Sequence, residues 1–174
     1  MANTPSNMLE LGTKAPFFEL PNPAKNNELQ RLEDLKGSKG TLVIFMCNHC
    51  PFVIHVIEKL AELYEDYKGK GIEFIAINSN DVINYPADSP EQMVDFAEEK
   101  GFTFPYLYDE SQAVAKAYDA ACTPDFYFFD DKLDLIYRGQ MDDSRPGNNK
   151  EITGEDLVIA FENLLAGQPQ EELQ

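Results

Sequence analysis

The sequence predicts an α/β fold in which a central mixed β-sheet is flanked by helices, with an N-terminal β-hairpin and a helical insertion. The first observation is a strand–helix–strand unit, since the apolar runs 41–46 and 72–78 are separated by a helical pattern over 52–68. A connection of that length joins parallel strands through a right-handed crossover. The second observation lies in residues 125–138, where two β-rich runs flank a turn at 130–132 and indicate an antiparallel hairpin. A sheet that holds both kinds of strand pair is mixed.

The chain before this unit is expected to form the N-terminal hairpin. Residues 1–12 are expected to be a loosely ordered lead. Residues 15–20 indicate a short edge strand with a proline near its start, a position where proline costs little. Residues 29–32 are its expected partner, and a helical turn over 33–35 precedes the central strand.

The helix over 52–68 is predicted to be amphipathic. Its apolar residues recur at helical spacing and share one face, namely Phe52, Val53, Val56, Leu60, Leu63, Tyr64 and Tyr67. Most of its acidic residues lie off that face. Gly69 and Gly71 are expected to end the helix.

The helical insertion follows the second strand of the unit. Ser89 is a predicted N-cap and Pro90 the first residue of a helix that continues to Lys100. An extended segment over 104–108 and a short helix over 111–118 complete the insertion. After the hairpin, residues 153–156 resemble a capping box for a last helix, which Gly167 ends.

Length and charge limit the functions that this chain can have. A chain of 174 residues is expected to form one domain, residues 1–174, and to bury roughly 70% of its unfolded surface. Its formal net charge of −17 opposes binding to nucleic acid or to an anionic membrane, because phosphate contacts need a basic face. No stretch approaches the about 18 apolar residues of a membrane span, and residues 1–12 show no signal-peptide pattern. We therefore expect a cytoplasmic protein that binds neither nucleic acid nor membrane.

The motif with the clearest chemistry is Cys47-Asn48-His49-Cys50-Pro51. Two cysteines two residues apart, where a buried strand passes into a helix, are placed for dithiol–disulfide chemistry. The helix start supplies unpaired N–H groups that favour a thiolate. We expect Cys47 to be the exposed, acidic nucleophile and Cys50 the less exposed, resolving thiol, with His49 adding positive charge beside the thiolate of Cys47.

The cysteine pair has two other interpretations. The two residues could be buried structural thiols, or they could form part of a metal site. One C-x-x-C pair supplies two ligands, whereas a zinc site usually has four. His49, between the two cysteines, and Cys122 are the residues that could supply the others. We expect no metal and no cofactor. Cys122 itself either takes part in redox chemistry, by resolving a mixed disulfide, or packs as a small apolar residue.

These motifs give the chain a family resemblance. It resembles the thioredoxin-like superfamily, and within it the redoxin group with the alkyl hydroperoxide reductase and thiol-specific antioxidant domain. The resemblance spans roughly residues 10–166 and rests on four segments, which are Met46–Cys50, Cys122–Asp125, Ala15–Phe18 and Phe104–Asp109. It implies a thioredoxin-like fold in which Pro124 is a cis-proline facing the loop of Cys47 and Cys50. It also implies that the backbone of Thr123 pairs with a bound peptide substrate.

The function that this resemblance implies is that of a thiol-disulfide oxidoreductase, an enzyme with a role in redox homeostasis or antioxidant defence. Its redox-active pair is Cys47 and Cys50, and its substrates are protein or small-molecule thiols and disulfides. An electron-donating reductase is its expected partner and returns the pair to the reduced form. Two alternatives stay open. One is a peroxiredoxin-like peroxidase, and the other is a metal-binding or copper-delivery module of the same fold.

The sequence departs from its relatives at two positions. Thioredoxins carry a buried Asp on the strand six residues before the first cysteine, and this chain has Thr41 there, so that proton acceptor is missing. Peroxiredoxins carry the pattern P-x-x-x-[ST]-x-x-C. The residues before Cys47 do not match this pattern, and those before Cys50 do not match it either. We therefore expect this protein to reduce hydrogen peroxide slowly.

Overall fold

The computed structural model describes residues 5–170, which form a five-stranded sheet, a separate two-stranded sheet and five α-helices. In chain order the strands are β1 (Glu19–Asn22), β2 (Glu28–Arg31), β3 (Gly40–Phe45), β4 (Ile72–Asn78), β5 (Tyr106–Tyr108), β6 (Asp125–Asp130) and β7 (Leu135–Tyr137). The helices are α1 (Leu32–Leu35), α2 (Pro51–Tyr67), α3 (Pro90–Lys100), α4 (Ala113–Ala117) and α5 (Glu155–Ala166). None of the helices in this part of the chain is long and apolar enough to cross a membrane.

The large sheet has the strand order β5-β4-β3-β6-β7 and is mixed, as predicted. Strand β3 pairs in parallel with β4 and antiparallel with β6. The expected strand–helix–strand unit is therefore confirmed, with α2 as its crossover. Strands β6 and β7 form the expected antiparallel hairpin, and β1 pairs antiparallel with β2.

Strand β3 is the centre of the fold, because all six of its residues are buried. Alternate side chains enter two different hydrophobic clusters, as the period of a strand requires. Leu42 and Ile44 pack in the cluster that contains the apolar faces of α2 and α5, and Val43 and Phe45 pack in the cluster on the opposite face. A strand covered on both faces fixes the position of the residues that follow it, and these begin with Met46 and Cys47.

The N-terminal segment is attached to the domain over its described residues, which differs from the expected loose lead. The backbone N–H of Gly12 donates to the carbonyl of Leu135 at 2.7 Å, and that of Ala15 donates to Leu133 at 2.9 Å. Ser6 donates from its hydroxyl to the carboxylate of Asp125 at 3.0 Å. These bonds to strand β7, its turn and strand β6 hold the segment in place. Residues 1–4 of the expected lead lie outside the described residues.

One helix start agrees with the prediction and another does not. Helix α3 begins as expected, since the hydroxyl of Ser89 accepts the N–H of Gln92. Helix α5 does not begin with a capping box, because its N-cap is Gly154 in a left-handed conformation with φ of 69°. The carboxylate of Asp142 accepts the backbone N–H groups of Thr153 and Gly154 at 2.8 and 2.7 Å.

Candidate active site

The cysteine pair lies between the end of β3 at Phe45 and the start of α2 at Pro51. Pro51 is the first residue of the helix, where its missing N–H costs nothing. Proline disfavours helical geometry in the residue before it, and Cys50 accordingly has φ of −68° and ψ of 122°. Cys50 is thus the N-cap of α2 and lies outside its first turn.

The exposure of the two cysteines is the reverse of what the sequence predicts. Cys47 is 1% exposed and belongs to the hydrophobic core, whereas Cys50 is partly exposed. The physical reason is the start of the helix. Cys47 follows the buried strand directly, whereas Cys50 caps a helix whose end reaches the surface. The expected exposure of Cys47 is therefore wrong, whereas its role as the attacking thiol stays a prediction.

The surroundings of Cys50 favour its thiolate. A hydrogen bond from the Cys47 thiol is the largest of several effects that lower the pKa of Cys50 to about 5, against the opposing effect of its burial. The Thr123 side chain and the backbone N–H groups of Val53 and Phe52 add to this lowering. Those two N–H groups belong to the first helical turn, where no carbonyl within the helix accepts them.

Cys47 has the opposite character. Its pKa is raised, first because its thiol donates the hydrogen bond that it shares with Cys50, and then because it is buried. The negative charge of Asp88 acts in the same direction. The two thiols share one hydrogen bond, so the lowered pKa belongs to the pair, and burial separates the two sulfurs, with Cys50 the more accessible one.

Thr123 and Pro124 lie against both cysteines. The bond between them is cis, as the family resemblance implies. The hydroxyl of Thr123 is 3.7 Å from the sulfur of Cys47, and the Cys50 thiol donates to the carbonyl of Thr123 at 3.3 Å. The expected contact between this segment and the cysteine loop is therefore confirmed.

Asp88 is a residue of the site that the sequence did not reveal. Its side chain is fully buried, and each of its oxygens accepts two hydrogen bonds. Oδ1 accepts the backbone N–H groups of Asn48 and His49 at 2.8 and 3.3 Å. Oδ2 accepts from Nδ1 of His49 at 2.6 Å and from the amide of Asn80 at 2.8 Å. One buried carboxylate therefore fixes the two residues between the cysteines.

His49 is held by that carboxylate through its Nδ1. Because an ionised carboxylate only accepts hydrogen bonds, Nδ1 of His49 carries the proton in this pair. The ring also stacks on Tyr85, with centroids 4.9 Å apart and planes 7° apart. The imidazole, 40% exposed, is thus fixed in one orientation and one tautomer. Its expected place beside the Cys47 sulfur is kept, since Cys47, His49 and Asp88 each offer a polar atom within 4.8 Å of the others.

This three-residue cluster does not favour the metal-binding alternative. Both oxygens of Asp88 already accept two hydrogen bonds each, so a metal ion would have to displace donors that position the loop. A buried carboxylate with all of its acceptor sites filled is a structural and electrostatic group rather than an open ligand.

A cleft of about 790 Å³ opens beside Cys50, and its wall includes Phe52, Cys122, Thr123 and Pro124. Cys122 is half-buried, and burial raises its pKa to about 11. Its thiol is 3.9 Å from the carbonyl of Pro124. Cys122 is thus near the reacting pair but is not an activated thiol, which favours the packing role over the redox role.

Comparison with known proteins agrees with this geometry. The family model described as Redoxin matches residues 10–157. The thiol-disulfide oxidoreductase ResA of Geobacillus kaustophilus is 32% identical over 127 residues, which are 73% of this chain and 67% of that protein. Matches to other proteins of that name span 51% to 80% of their lengths.

Solved structures extend the similarity over most of the chain. An uncharacterized conserved protein from Geobacillus kaustophilus is 56% identical, with a TM-score of 0.94 over 97% of this chain and 89% of that one. The thioredoxin domain of the thiol-disulfide oxidoreductase BVU-2223 from Bacteroides vulgatus has a TM-score of 0.63 and 20% identity, over 76% of this chain and 91% of that one. The expected thioredoxin-like fold is confirmed.

Proposed function

Because the chain belongs to the Redoxin family, we propose that its cysteine pair carries out thiol–disulfide exchange with Cys50 as the attacking thiol. The protein is a thiol-disulfide oxidoreductase, and the names of its ResA relatives state the same activity. The observation that supports these roles most strongly is the place of Cys50. It is an accessible thiol at a helix N-cap, with a lowered pKa and a second thiol as its hydrogen-bond donor.

The first step is the attack of the Cys50 thiolate on a substrate disulfide. A bond forms between the Cys50 sulfur and one substrate sulfur, the substrate S–S bond breaks, and the other substrate sulfur leaves as a thiolate. The lowered pKa of Cys50 favours its thiolate, which is the form that attacks. The product is a mixed disulfide between Cys50 and the substrate.

The second step is the attack of Cys47 on the sulfur of Cys50. The Cys47 thiol gives up its proton, a Cys47–Cys50 disulfide forms, and the remaining substrate sulfur leaves with the electron pair. The enzyme loses two electrons and the substrate disulfide gains them. An external dithiol, supplied by the electron-donating reductase that we predict, returns the pair to the reduced form.

The cleft beside Cys50 is the proposed substrate site. Its walls bring Thr123 and Pro124 next to the attacking sulfur, in the position at which the resemblance places a peptide backbone. A cleft of about 790 Å³ is large enough for a peptide segment or a small disulfide. Protein and small-molecule disulfides are therefore the proposed substrate class, and the cytoplasmic location and antioxidant role remain predictions.

We expect alkylation to label Cys50 first. Its pKa of about 5 means that the labelling rate should rise through that pH and stay level above it, because the thiolate is the reacting form. Cys47 and Cys122 should stay unlabelled at neutral pH, since the pKa of each is raised. The measurement is iodoacetamide labelling of the reduced protein from pH 4 to 9, with peptide mapping. Earlier labelling of Cys47 would reverse the proposed roles.

A comparison of two oxidants tests the function itself. The reduced protein should react readily with a small disulfide such as oxidised glutathione and slowly with hydrogen peroxide. Counted back from Cys50 in the sequence, Cys47 stands at the position where the peroxiredoxin pattern has the Thr or Ser hydroxyl that orients the peroxide. Stopped-flow rates for both oxidants, with loss of thiol groups as the signal, distinguish disulfide exchange from peroxide reduction. Peroxide reduction at the rate of a dedicated peroxidase, with little reaction with disulfides, would favour the peroxiredoxin-like alternative instead.

A further inference from the structure

The cleft beside Cys50 carries a positive charge that thiol–disulfide exchange itself does not use. Arg145 forms part of its wall, and so do the apolar side chains of Phe52, Val56 and Ile159. The chain as a whole has a net charge of −17, so a cation at this place runs against the general charge of the protein. A cation at the substrate site indicates a negative group on the substrate.

The guanidinium of Arg145 is held by neutral acceptors. Its Nη1 donates to the carbonyls of Asp142 and Ser144 at 2.6 and 2.7 Å, and its Nη2 donates to the side-chain oxygen of Gln140. Its backbone N–H donates to the side chain of Asn148 at 3.1 Å. A guanidinium has five N–H groups, so two remain for a ligand. Neutral acceptors fix the group in place without cancelling its charge.

The loop that carries Arg145 is itself fixed. The backbone N–H of Ser144 donates to the carboxylate of Asp142 at 2.8 Å, and the Ser144 hydroxyl donates to the carbonyl of Lys150 at 3.0 Å. Because a hydroxyl has one proton, Ser144 accepts from Nε2 of His55 at 2.7 Å, which ties the loop to α2. A cation held in advance loses little conformational freedom when a ligand binds.

The carboxylates in the cleft wall do not neutralise this cation. Asp125 forms a buried ion pair with Arg138 at 3.1 Å. The carboxylate of Asp142 accepts three backbone N–H groups. Asp156 lies in the first turn of α5, where the helix dipole stabilises a negative charge. Each of the three is thus compensated by a group other than Arg145.

Asp143 is a further carboxylate whose pKa the charge of Arg145 affects. It forms an ion pair with Lys150 at 2.9 Å, and the hydrogen bond from Lys150 is the main cause of its lowered pKa, whereas Arg145 contributes less. Within residues 5–170 Arg145 forms no ion pair of its own. Its charge is therefore available to a ligand in the cleft.

We propose that Arg145 binds a carboxylate of the substrate, so that the enzyme selects disulfides that carry a carboxylate a few bonds from the reacting sulfur. This proposal rests on the proposed function, since exchange must occur at the cysteine pair, but it holds whichever cysteine attacks first. A guanidinium matches a carboxylate with two parallel hydrogen bonds. Cys50 and Arg145 belong to one cleft of about 790 Å³, with apolar side chains in the same wall. One fixed charge in such a cleft orients a ligand.

Three small disulfides that differ in charge test the proposal. They are dithiodipropionate, which is anionic, hydroxyethyl disulfide, which is neutral, and cystamine, which is cationic. In Arg145→Met the rate constant for dithiodipropionate should fall roughly tenfold, since a hydrogen bond to a charged group contributes at least that much. The rate for hydroxyethyl disulfide should stay the same, and the rate for cystamine should stay the same or rise. Loss of thiol groups is followed at pH 7 and about 0.15 M ionic strength, where charges more than about 8 Å apart are largely screened.

Arg31→Met is the matched control, because it removes the same charge from the two-stranded sheet, outside the cleft wall. Arg31 forms an exposed ion pair with Glu19, so its loss should change none of the three rates. A competition experiment uses the wild-type protein and does not depend on how Arg145→Met folds. Hexanoate should inhibit exchange with hydroxyethyl disulfide in a saturable way, and hexanol, of the same length without the charge, should inhibit it less.

Each contrary result has a distinct meaning. A wild-type protein that exchanges with none of the three disulfides would overturn the proposed function. Exchange with all three, slowed equally by Arg145→Met, would show that Arg145 only holds the loop and would overturn this inference alone. The same selective loss in Arg31→Met would assign it to net charge, and equal inhibition by hexanoate and hexanol would exclude a carboxylate site. Either of these results would also overturn the inference.

Discussion

Replacement of Cys47 by Ala should trap a mixed disulfide on Cys50, and replacement of Cys50 by Ala should abolish exchange. Without Cys47 the first attack still occurs, but no nearby thiol displaces the substrate. Without Cys50 the remaining thiol of the pair is still buried, and its burial and the charge of Asp88 still raise its pKa, although the hydrogen bond with Cys50 is lost. Since the thiolate fraction falls tenfold for each unit of pKa above the ambient pH, exchange at pH 7 should fall by at least about 10²-fold.

Both variants are best made in a Cys122→Ala background, which leaves one thiol in each. Cys122→Ala alone is the matched control and should exchange at nearly the wild-type rate, because the pKa of Cys122 is already raised to about 11. Adducts with oxidised glutathione are counted by intact-mass analysis. The proposed roles would be wrong if the adduct accumulated on Cys47 in the variant that lacks Cys50.

Much of the fold could be predicted because its signals are local. The apolar run 72–78 is the observed strand β4, and the predicted N-cap Ser89 and first residue Pro90 gave the start of α3 correctly. Hydrophobic runs and turn residues act within a few positions of themselves, so one sequence contains them. The failed capping box of α5 shows the limit, since the N–H of Asp156, which Thr153 was expected to accept, donates instead to the carbonyl of Met141 at 3.1 Å.

The exposure of the two cysteines was predicted wrongly because it depends on where one helix begins. The tension between Pro51 and helical geometry at Cys50 was visible in the sequence, and its physical resolution is that Cys50 is the N-cap. Cys50 therefore lies at the helix start, where it is partly exposed, and Cys47 stays with the end of the buried strand.

Asp88 could not be found from the sequence, because its partners lie far from it along the chain. It is 39 positions from His49, and only the fold brings the loop before α3 to the end of β3. An aspartate just before a helix N-cap usually lies on the surface, so its burial gives no local signal. The same holds for Arg138, whose charged partner Asp125 lies 13 positions away.

Arg138→Met should cause the largest loss of stability outside the active site. Arg138 and Asp125 form an ion pair at 3.1 Å in which the two side chains are 1% and 4% exposed. The guanidinium also lies 3.7 Å from the ring centre of Tyr127. Removal of one partner of a buried pair leaves a charge without compensation, and the free energy of unfolding should fall by about 3–5 kcal/mol. Guanidinium chloride unfolding at pH 7 measures this loss.

The matched control is Lys150→Met, which breaks an ion pair whose side chains are 57% and 69% exposed. Such pairs contribute about 0–1 kcal/mol, so this variant should unfold almost as the wild type does. The double variant Arg138→Met/Asp125→Asn should recover part of the lost stability, since it removes the buried charge as well. Near-equal stability of Arg138→Met and Lys150→Met would contradict the prediction.

The pH dependence of Arg138→Met provides a second measurement. Burial already raises the pKa of Asp125, and the charge of Arg138 opposes that rise. Without Arg138 the folded protein binds a proton at Asp125 more tightly than the unfolded chain does, so the variant loses stability as the pH increases. The difference between variant and wild type should therefore be smaller near pH 4 than at pH 7. A difference that stays constant between these values would show that the lost packing of Arg138, and not the uncompensated carboxylate, causes the destabilisation.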